Sequence, residues 1–177
     1  MILGFKGFKP GLIATLGEGK YQYQPGEMNR TGKAKCASTG FHYCLDPLDC
    51  LTWYAWDGKN EFWAIAAGGD IDEDDYKTRS SCTEIVPLRR LSEDEFLLMH
   101  AQYVFDHPTE SFEDEEKGPF HIAYGKNKSM SGQKGDWLCF IDRESAVAVI
   151  GQIDGERVFP EEKYTVERLE SALNEKG

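Results

Sequence analysis

The sequence predicts an α+β protein with an N-terminal mixed or antiparallel sheet and two helices, followed by a β-rich meander and a short C-terminal helix. Three observations predict this class. Segments in which every second residue is apolar recur before residue 90. A helix start signal lies near residue 92, and turn residues separate short apolar segments after residue 118. With 177 residues and 40% hydrophobic content, the chain can bury one ordinary core and a small appended lobe.

The first half of the chain predicts five strands. Apolar residues alternate with small or polar ones, and Gly or Pro residues close most of the segments. Gly68-Gly69 is expected to end the fourth strand, and Pro87 is expected to place the fifth at a sheet edge or a strand end. The predicted strands cover residues 2–8, the segment around Tyr21 and Tyr23, and residues 40–44, 61–67 and 82–88.

Two helices are predicted in this half. Asp46-Pro47 stops the third strand and starts a helix to about Trp56, because proline lacks an N–H and suits a first helical turn. Ser92 with Glu95 three residues later forms a capping box. The second helix should therefore start there and end near His107-Pro108.

An acidic block from Glu110 to Lys117 is the predicted domain boundary. It divides the chain into an α+β domain at residues 1–109 and a β-rich extension at residues 118–177. The extension is expected to contain strands at 121–124, 137–142 and 146–150.

The end of the extension carries two further local signals. Asp154-Gly155 predicts a hairpin that joins residues 151–153 to residues 156–159, because both turn positions accept a positive φ. Thr165 is the expected N-cap of the final short helix.

Composition limits the function classes. The formal net charge is −11 with a pI near 4.8, so phosphate backbones should repel the protein, and direct nucleic-acid binding is not expected. No apolar run is long enough for a bilayer span and the N-terminus lacks a secretory signal, so we expect a cytoplasmic protein without membrane contact. The five cysteines have no CxxC spacing, which favours reduced thiols over a zinc site.

Several motifs together resemble an uncharacterised family of phage and prophage proteins. The resemblance spans most of the chain and implies a mobile-element setting without an established activity. Its motifs here are GFKGF, GFHYC, LDPLDCLTWY, AIAAGGDI, IAYGKN, GDWLCFID and GQIDGERVFP.

The N-terminal part also resembles, more loosely, the ADP-ribosyltransferase fold. Lys6-Gly7 stands at the first-strand motif of that fold, and Phe41-His42-Tyr43 stands at its aromatic strand. The resemblance implies NAD as a possible cofactor, with Glu84 as the catalytic carboxylate. The residues that it would assign to cofactor binding are Lys6, His42, Tyr43 and Tyr54, with Trp53 as an alternative to Tyr54.

Other interpretations of these residues remain open. The aromatic residues also fit a packed core, and Glu84 also fits a solvent-facing strand position. The Asp70–Asp75 run begins like a calcium loop but lacks its turn glycine, so an EF-hand is not expected and no metal is assigned. Because two acidic runs, Asp70–Asp75 and Glu110–Glu116, stand in an acidic chain, a non-enzymatic protein that binds a basic protein surface is the main alternative. A virion-associated structural module is a third.

Overall fold

The computed structural model of the protein describes residues 1–15, 19–74 and 78–175. It is a mixed α+β structure, mostly sheet with few helices, which confirms the predicted class at this level. None of the helices in these ranges is long and apolar enough to cross a membrane. The strands are β1 (Ile2–Phe8), β2 (Ile13–Ala14), β3 (Tyr21–Gln22), β4 (Asn29–Arg30), β5 (Phe41–Tyr43), β6 (Glu61–Glu73), β7 (Ser80–Arg90), β8 (Glu115–Lys117), β9 (Phe120–Tyr124), β10 (Trp137–Asp142) and β11 (Val147–Gln152). The helices are a 3-10 helix (Pro47–Thr52), α1 (Glu93–Asp106) and α2 (Val166–Asn174).

The chain divides into two compact units, Met1–Ser92 and Glu93–Gly177. The division lies ahead of α1, whereas the sequence placed it after that helix, in the acidic block. The helix belongs to the second unit because it packs on β10 and β11. Part of the acidic block forms β8, a strand of the second unit's sheet, and is therefore not a linker.

The first unit is built on one antiparallel sheet in the order β1-β6-β7-β4, with β5 paired to β7 beside β4. The chain just after β5 returns to β1. The N–H of Phe5 donates to the carbonyl of Cys44 and the N–H of Cys44 donates to the carbonyl of Phe5, both at 2.8 Å. The sheet therefore closes on itself, and β5 lies directly beside β1.

Two glycines in β1 allow aromatic rings to lie against this strand. A Cβ on Gly4 would lie 2.5 Å from Cδ2 of Tyr43, and a Cβ on Gly7 would lie 2.6 Å from Cδ2 of Tyr54. Both distances are shorter than side-chain contacts allow. The core around these rings consists of Phe8, Leu12, Tyr23, Phe41, Tyr43, Ile65, Ala67, Cys82 and Ile85.

Two predictions about the strands of this sheet were wrong. The strand β6 does not stop at Gly68-Gly69 but continues to Glu73, because Gly69 adopts a φ of +70° within a register shift opposite β7. The strand β7 is not an edge strand, since it pairs with β6 on one side and with β4 and β5 on the other. Pro87 is accommodated beside a second register shift, between Ala64 and Ile65.

The first predicted helix is shorter than expected. It is a single 3-10 segment that ends at Thr52. The Asp46 carboxylate accepts a hydrogen bond from the N–H of Leu48 at 2.9 Å and so caps its start, with proline in the first turn as predicted. A separate turn follows, in which the Asp57 carboxylate accepts hydrogen bonds from the N–H groups of Lys59 and Asn60.

The second unit contains a four-stranded sheet in the order β11-β10-β9-β8. The prediction of a simple meander was wrong for one pair, because β9 and β10 are parallel. Residues 125–136 form the crossover connection that a parallel pair requires. The predicted N-cap of the last helix is confirmed, since the Thr165 hydroxyl accepts a hydrogen bond from the N–H of Arg168.

The predicted hairpin at Asp154-Gly155 was wrong. In the described part of the second unit, residues 153–159 belong to no strand. The Asp154 carboxylate instead accepts hydrogen bonds from three consecutive N–H groups, those of Glu156, Arg157 and Val158, at 2.8 to 3.0 Å. These bonds close a turn that leaves no room for the paired strands of a hairpin. They also lower the pKa of Asp154.

Gly7→Ala should destabilise the protein by about 1–3 kcal/mol, because the added methyl group must displace the buried Tyr54 ring. Urea denaturation should show this as a lower midpoint at an unchanged slope.

Gly32→Ala is the matched control, since a Cβ at Gly32 would meet no atom within 4 Å. If both variants unfold at the wild-type urea concentration, the close packing of Tyr54 on β1 is disproved.

Candidate functional site

The first unit contains an open cleft of about 960 Å³. Its walls come from β1, β5 and the 3-10 helix, together with the segments at residues 19–23, 30–31 and 37–40. Aromatic side chains form much of these walls. They are Phe5, Tyr21, Tyr23, Phe41, Tyr43, Trp53 and Tyr54.

Four of the five residues singled out from the sequence line this cleft: Lys6, His42, Tyr43 and Tyr54. They meet because β5 lies against β1 through the paired hydrogen bonds of Phe5 with Cys44. The sequence placed these residues on separate elements, and the closure of the sheet brings the elements together.

Lys6 is a buried lysine in the wall of the cleft. Its side chain lies in the middle of β1, the residue is 8% exposed, and Nζ donates to the carbonyl of His42 at 2.5 Å. Nζ also lies 5.5 Å from the ring centroid of Phe8 and 5.6 Å from that of Tyr23. Burial lowers the pKa of the Lys6 amine, and this effect outweighs the attraction of neighbouring thiols.

His42 holds the loop of residues 35–40, which contributes to the cleft lining. Its Nε2 accepts a hydrogen bond from the N–H of Ala37 at 3.0 Å, so the neutral ring carries its proton on Nδ1. Burial, together with the positive charges of Lys6 and Arg79, lowers the pKa of His42 to about 4. The imidazole is therefore neutral at physiological pH.

Two more side chains fix the same loop. The Asp72 carboxylate accepts a hydrogen bond from the N–H of Cys36 at 2.6 Å, and Ser81 Oγ donates to the carbonyl of Thr39 at 2.5 Å. Gly40 ends the loop with a φ of +94°, where a Cβ would lie 2.2 Å from Ser81 Oγ. The backbone of residues 37–39 is thus positioned before any ligand arrives.

The aromatic residues of the cleft fall into two groups. Tyr43 and Tyr54 are 2% and 5% exposed and act as packed walls, which agrees with the core interpretation of these rings. Tyr21 and Trp53 are 40% and 38% exposed and present open ring surface. The open rings are the ones that a bound molecule can stack on.

The charge of the cleft is opposite to that of the chain. Its basic side chains are Lys6, Lys20, Arg30 and Arg79, and no carboxylate belongs to the lining that the structure describes. The Arg79 guanidinium lies 4.4 Å from the ring centroid of Trp53, which joins a cation to an open aromatic surface. The chain as a whole carries a net charge of −11.

Glu84, the fifth predicted residue, lies behind the cleft. Its carboxylate accepts a hydrogen bond from Nε of Arg30 at 3.1 Å, and its side chain is 34% exposed. In the sheet Glu84 is opposite Gly68, whereas Lys6 is opposite Trp63. Trp63 and Gly68 are five positions apart along β6, which corresponds to roughly 16 Å. Glu84 is linked to the cleft lining through Arg30.

Two carboxylates of the first acidic run make internal contacts. Asp72 binds the 35–40 loop, and the Asp74 carboxylate accepts hydrogen bonds from the N–H and hydroxyl of Thr78. Asp75 lies outside the described residues. Among the residues that are described, no group of three or more His, Cys, Asp or Glu side chains is arranged to bind a metal ion.

One comparison with known proteins assigns the chain to a family. The model of a domain of unknown function, DUF7666, matches residues 2–99, which is more than half of the chain. The chain belongs to the DUF7666 family. The match includes all the cleft residues of this DUF7666 domain. The comparisons with curated proteins and with solved structures gave no significant match.

The sequence-based interpretation missed the cationic rim of the DUF7666 cleft. Arg30 pairs with Glu84 in the sheet and lines the cleft. A signal was present: residues 19–35 carry the cations Lys20, Arg30, Lys33 and Lys35 and a single carboxylate, in a chain rich in acidic residues. Such a local reversal of charge indicates an anion-binding segment.

His42 should make the stability of this domain depend on pH. The pKa of about 4 in the folded state is below the ordinary value near 6.5, so the unfolded state binds more protons between these values. The contribution of His42 is complete above about pH 6.5 and is lost as the pH falls toward 4. His42→Gln keeps a hydrogen-bond acceptor for Ala37 and should flatten the dependence of unfolding free energy on pH in this window.

Urea titrations of both proteins at several pH values measure the effect. If the unfolding free energy of the variant depends on pH as steeply as that of the wild type, the burial of a neutral imidazole at this position is contradicted.

Proposed function

We propose that the DUF7666 domain of this protein binds a nucleotide-type ligand of the NAD class in the aromatic cleft. One observation carries the proposal: the described lining combines open aromatic rings with cations and contains no carboxylate, although the chain is strongly acidic. A ligand that matches this lining has at least one aromatic ring and at least one negative group.

The proposed contacts follow from the chemistry of each side chain. Tyr21 and Trp53 offer open ring faces to a base or to nicotinamide. Arg30 and Arg79 each direct Nε toward a carboxylate, that of Glu84 or Asp74, and offer their terminal nitrogens to phosphate oxygens. The volume of about 960 Å³ is at the upper end of the usual range of small-molecule sites and is suited to a dinucleotide.

The polar backbone of residues 37–39 extends this proposed site. The loop is held by His42, Asp72 and Ser81, so its peptide groups do not have to be ordered when a ligand binds. Preorganisation of this kind reduces the entropy cost of binding.

Transfer of ADP-ribose is the finer form of the proposal, and it has less support than binding. A transferase needs a carboxylate next to the reacting ribose to stabilise an oxocarbenium-like transition state. Glu84, the candidate for this role, is bonded to Arg30 and is separated from Lys6 by about five strand positions. Within the proposal, Glu84 therefore positions Arg30, and a catalytic role would require the ion pair to open.

The acidic interaction protein has less support than a ligand-binding domain. Several carboxylates of its two runs have partners within their own units. In the second run, Asp114 accepts hydrogen bonds from the N–H of Tyr124 and from Nζ of Lys128, and Glu110 accepts one from the hydroxyl of Tyr103. Carboxylates that already have partners contribute less to the capture of a basic surface.

The phage or prophage setting and the cytoplasmic location remain parts of the proposal that rest on sequence alone. The five cysteines are all free thiols, which agrees with a reducing compartment. No feature described above favours a virion-associated structural module over a ligand-binding domain.

Isothermal titration of the full chain with NAD and with ADP-ribose tests the proposal. Tyr21→Ala should weaken binding roughly tenfold or more, because a stacked base contributes about 1–3 kcal/mol. Tyr21 is a better test position than Tyr43, since truncation of a ring that is 2% exposed would open a cavity in the core.

Phe159→Ala is the control, because Phe159 is 44% exposed and lies in the second unit. The proposed site would be disproved if the wild type does not bind at millimolar ligand, or if Tyr21→Ala and Phe159→Ala lose affinity equally. Release of nicotinamide by the wild type that is lost in Glu84→Gln would extend the proposal from binding to transfer.

A further inference from the structure

Lys6 has a more unusual environment than the other cations of the cleft. The residue is more than nine-tenths buried, and its amine donates to a backbone carbonyl, that of His42. Within the described residues, no carboxylate lies at ion-pair distance from Nζ. A cation at such a position is expensive to bury unless it loses its proton.

The other neighbours of the amine do not replace a carboxylate. The Phe8 and Tyr23 ring centroids lie 5.5 Å and 5.6 Å from Nζ, at the outer range of cation–π attraction. The thiols of Cys44, Cys50 and Cys82 also lie close enough to act on the charge of the amine. Burial raises the pKa of both Cys50 and Cys82, which keeps these two protonated and uncharged. The pKa of Lys6 is lowered as a result of its own burial.

A buried lysine without a counter-ion that lines an open cleft has the features of a nucleophilic amine. The uncharged form of the side chain keeps a lone pair that can attack a carbonyl carbon. Burial favours this form of Lys6, and the residue forms part of the cleft wall.

We propose that Lys6 is a covalent attachment site for a carbonyl compound, an aldehyde or ketone that carries an aromatic ring and an acidic group. The Nζ lone pair forms a C–N bond to the carbonyl carbon, and the carbonyl oxygen leaves as water after it has gained two protons, which come from the amine nitrogen through solvent. The product is an imine, C=N, and one water molecule. No electrons are transferred, so no oxidant or reductant is required.

The rest of the cleft selects the class of carbonyl compound. The open rings of Tyr21 and Trp53 fit an aromatic ring, and Lys20, Arg30 and Arg79 fit a phosphate or carboxylate group. This inference uses the same cleft as the proposed function but does not require a nucleotide as its ligand.

Pyridoxal 5′-phosphate is a suitable probe, because it carries an aldehyde, an aromatic ring and a phosphate. The full chain is incubated with the probe at pH 7.5 and cyanoborohydride, which reduces any imine to a stable amine. Peptide mass spectrometry then measures the labelling rate of each lysine. Lys59, which is exposed and outside the described lining, is the internal reference.

Lys6 should be labelled at least tenfold faster than Lys59, and its rate should reach a plateau at lower pH. Labelling with pyridoxal, which lacks the phosphate, should be slower at Lys6 and little changed at Lys59. Lys6→Arg should remove the fast phase. Because this variant can fail to fold, the comparison of lysines within the wild-type protein decides the outcome by itself.

Labelling of Lys6 no faster than that of Lys59 would overturn the inference. Its failure can be distinguished from failure of the proposed function. If Lys6 reacts fast while NAD neither binds nor slows the reaction, the covalent site stands and the dinucleotide proposal falls. If NAD binds and Lys6 is not labelled preferentially, the dinucleotide proposal stands and the covalent site falls.

Discussion

The cleft depends on the pair of hydrogen bonds between the backbones of Phe5 and Cys44. They close the antiparallel sheet of the first unit and place β5 beside β1. The buried amine of Lys6 can then reach the carbonyl of His42, and Tyr43 can lie over Gly4. Without this closure the two strands would contribute to separate surfaces, and no cleft would form between them.

The charge of the cleft lining differs from the net charge of the acidic chain. Three carboxylates support residues of the cleft without belonging to its described lining: Glu84 holds Arg30, Asp74 lies 3.5 Å from Arg79, and Asp72 holds the loop of residues 35–40. The overall charge of a chain therefore does not determine the charge of an individual cleft.

Much of the fold could be predicted from periodicity and caps, since β1, β10, α1 and the Asp46 and Thr165 caps follow local rules. Features that depend on the pairing of strands could not be predicted in this way. The glycine bulge in β6, the internal proline of β7 and the parallel pair of β9 and β10 are stabilised by neighbouring strands, and a sequence does not state which strands are neighbours. The same limit applies to the site: four residues converge, but the register of β6 sets Glu84 apart.

The most direct test of the account is an NMR titration of the ¹⁵N-labelled full chain with NAD. The account predicts saturable shifts of backbone amides at residues 4–7, 37–43 and 53–54, with little change at residues 93–175. Shifts confined to the second unit, or no shifts at millimolar NAD, would contradict the claim that the aromatic and cationic cleft is a dinucleotide site.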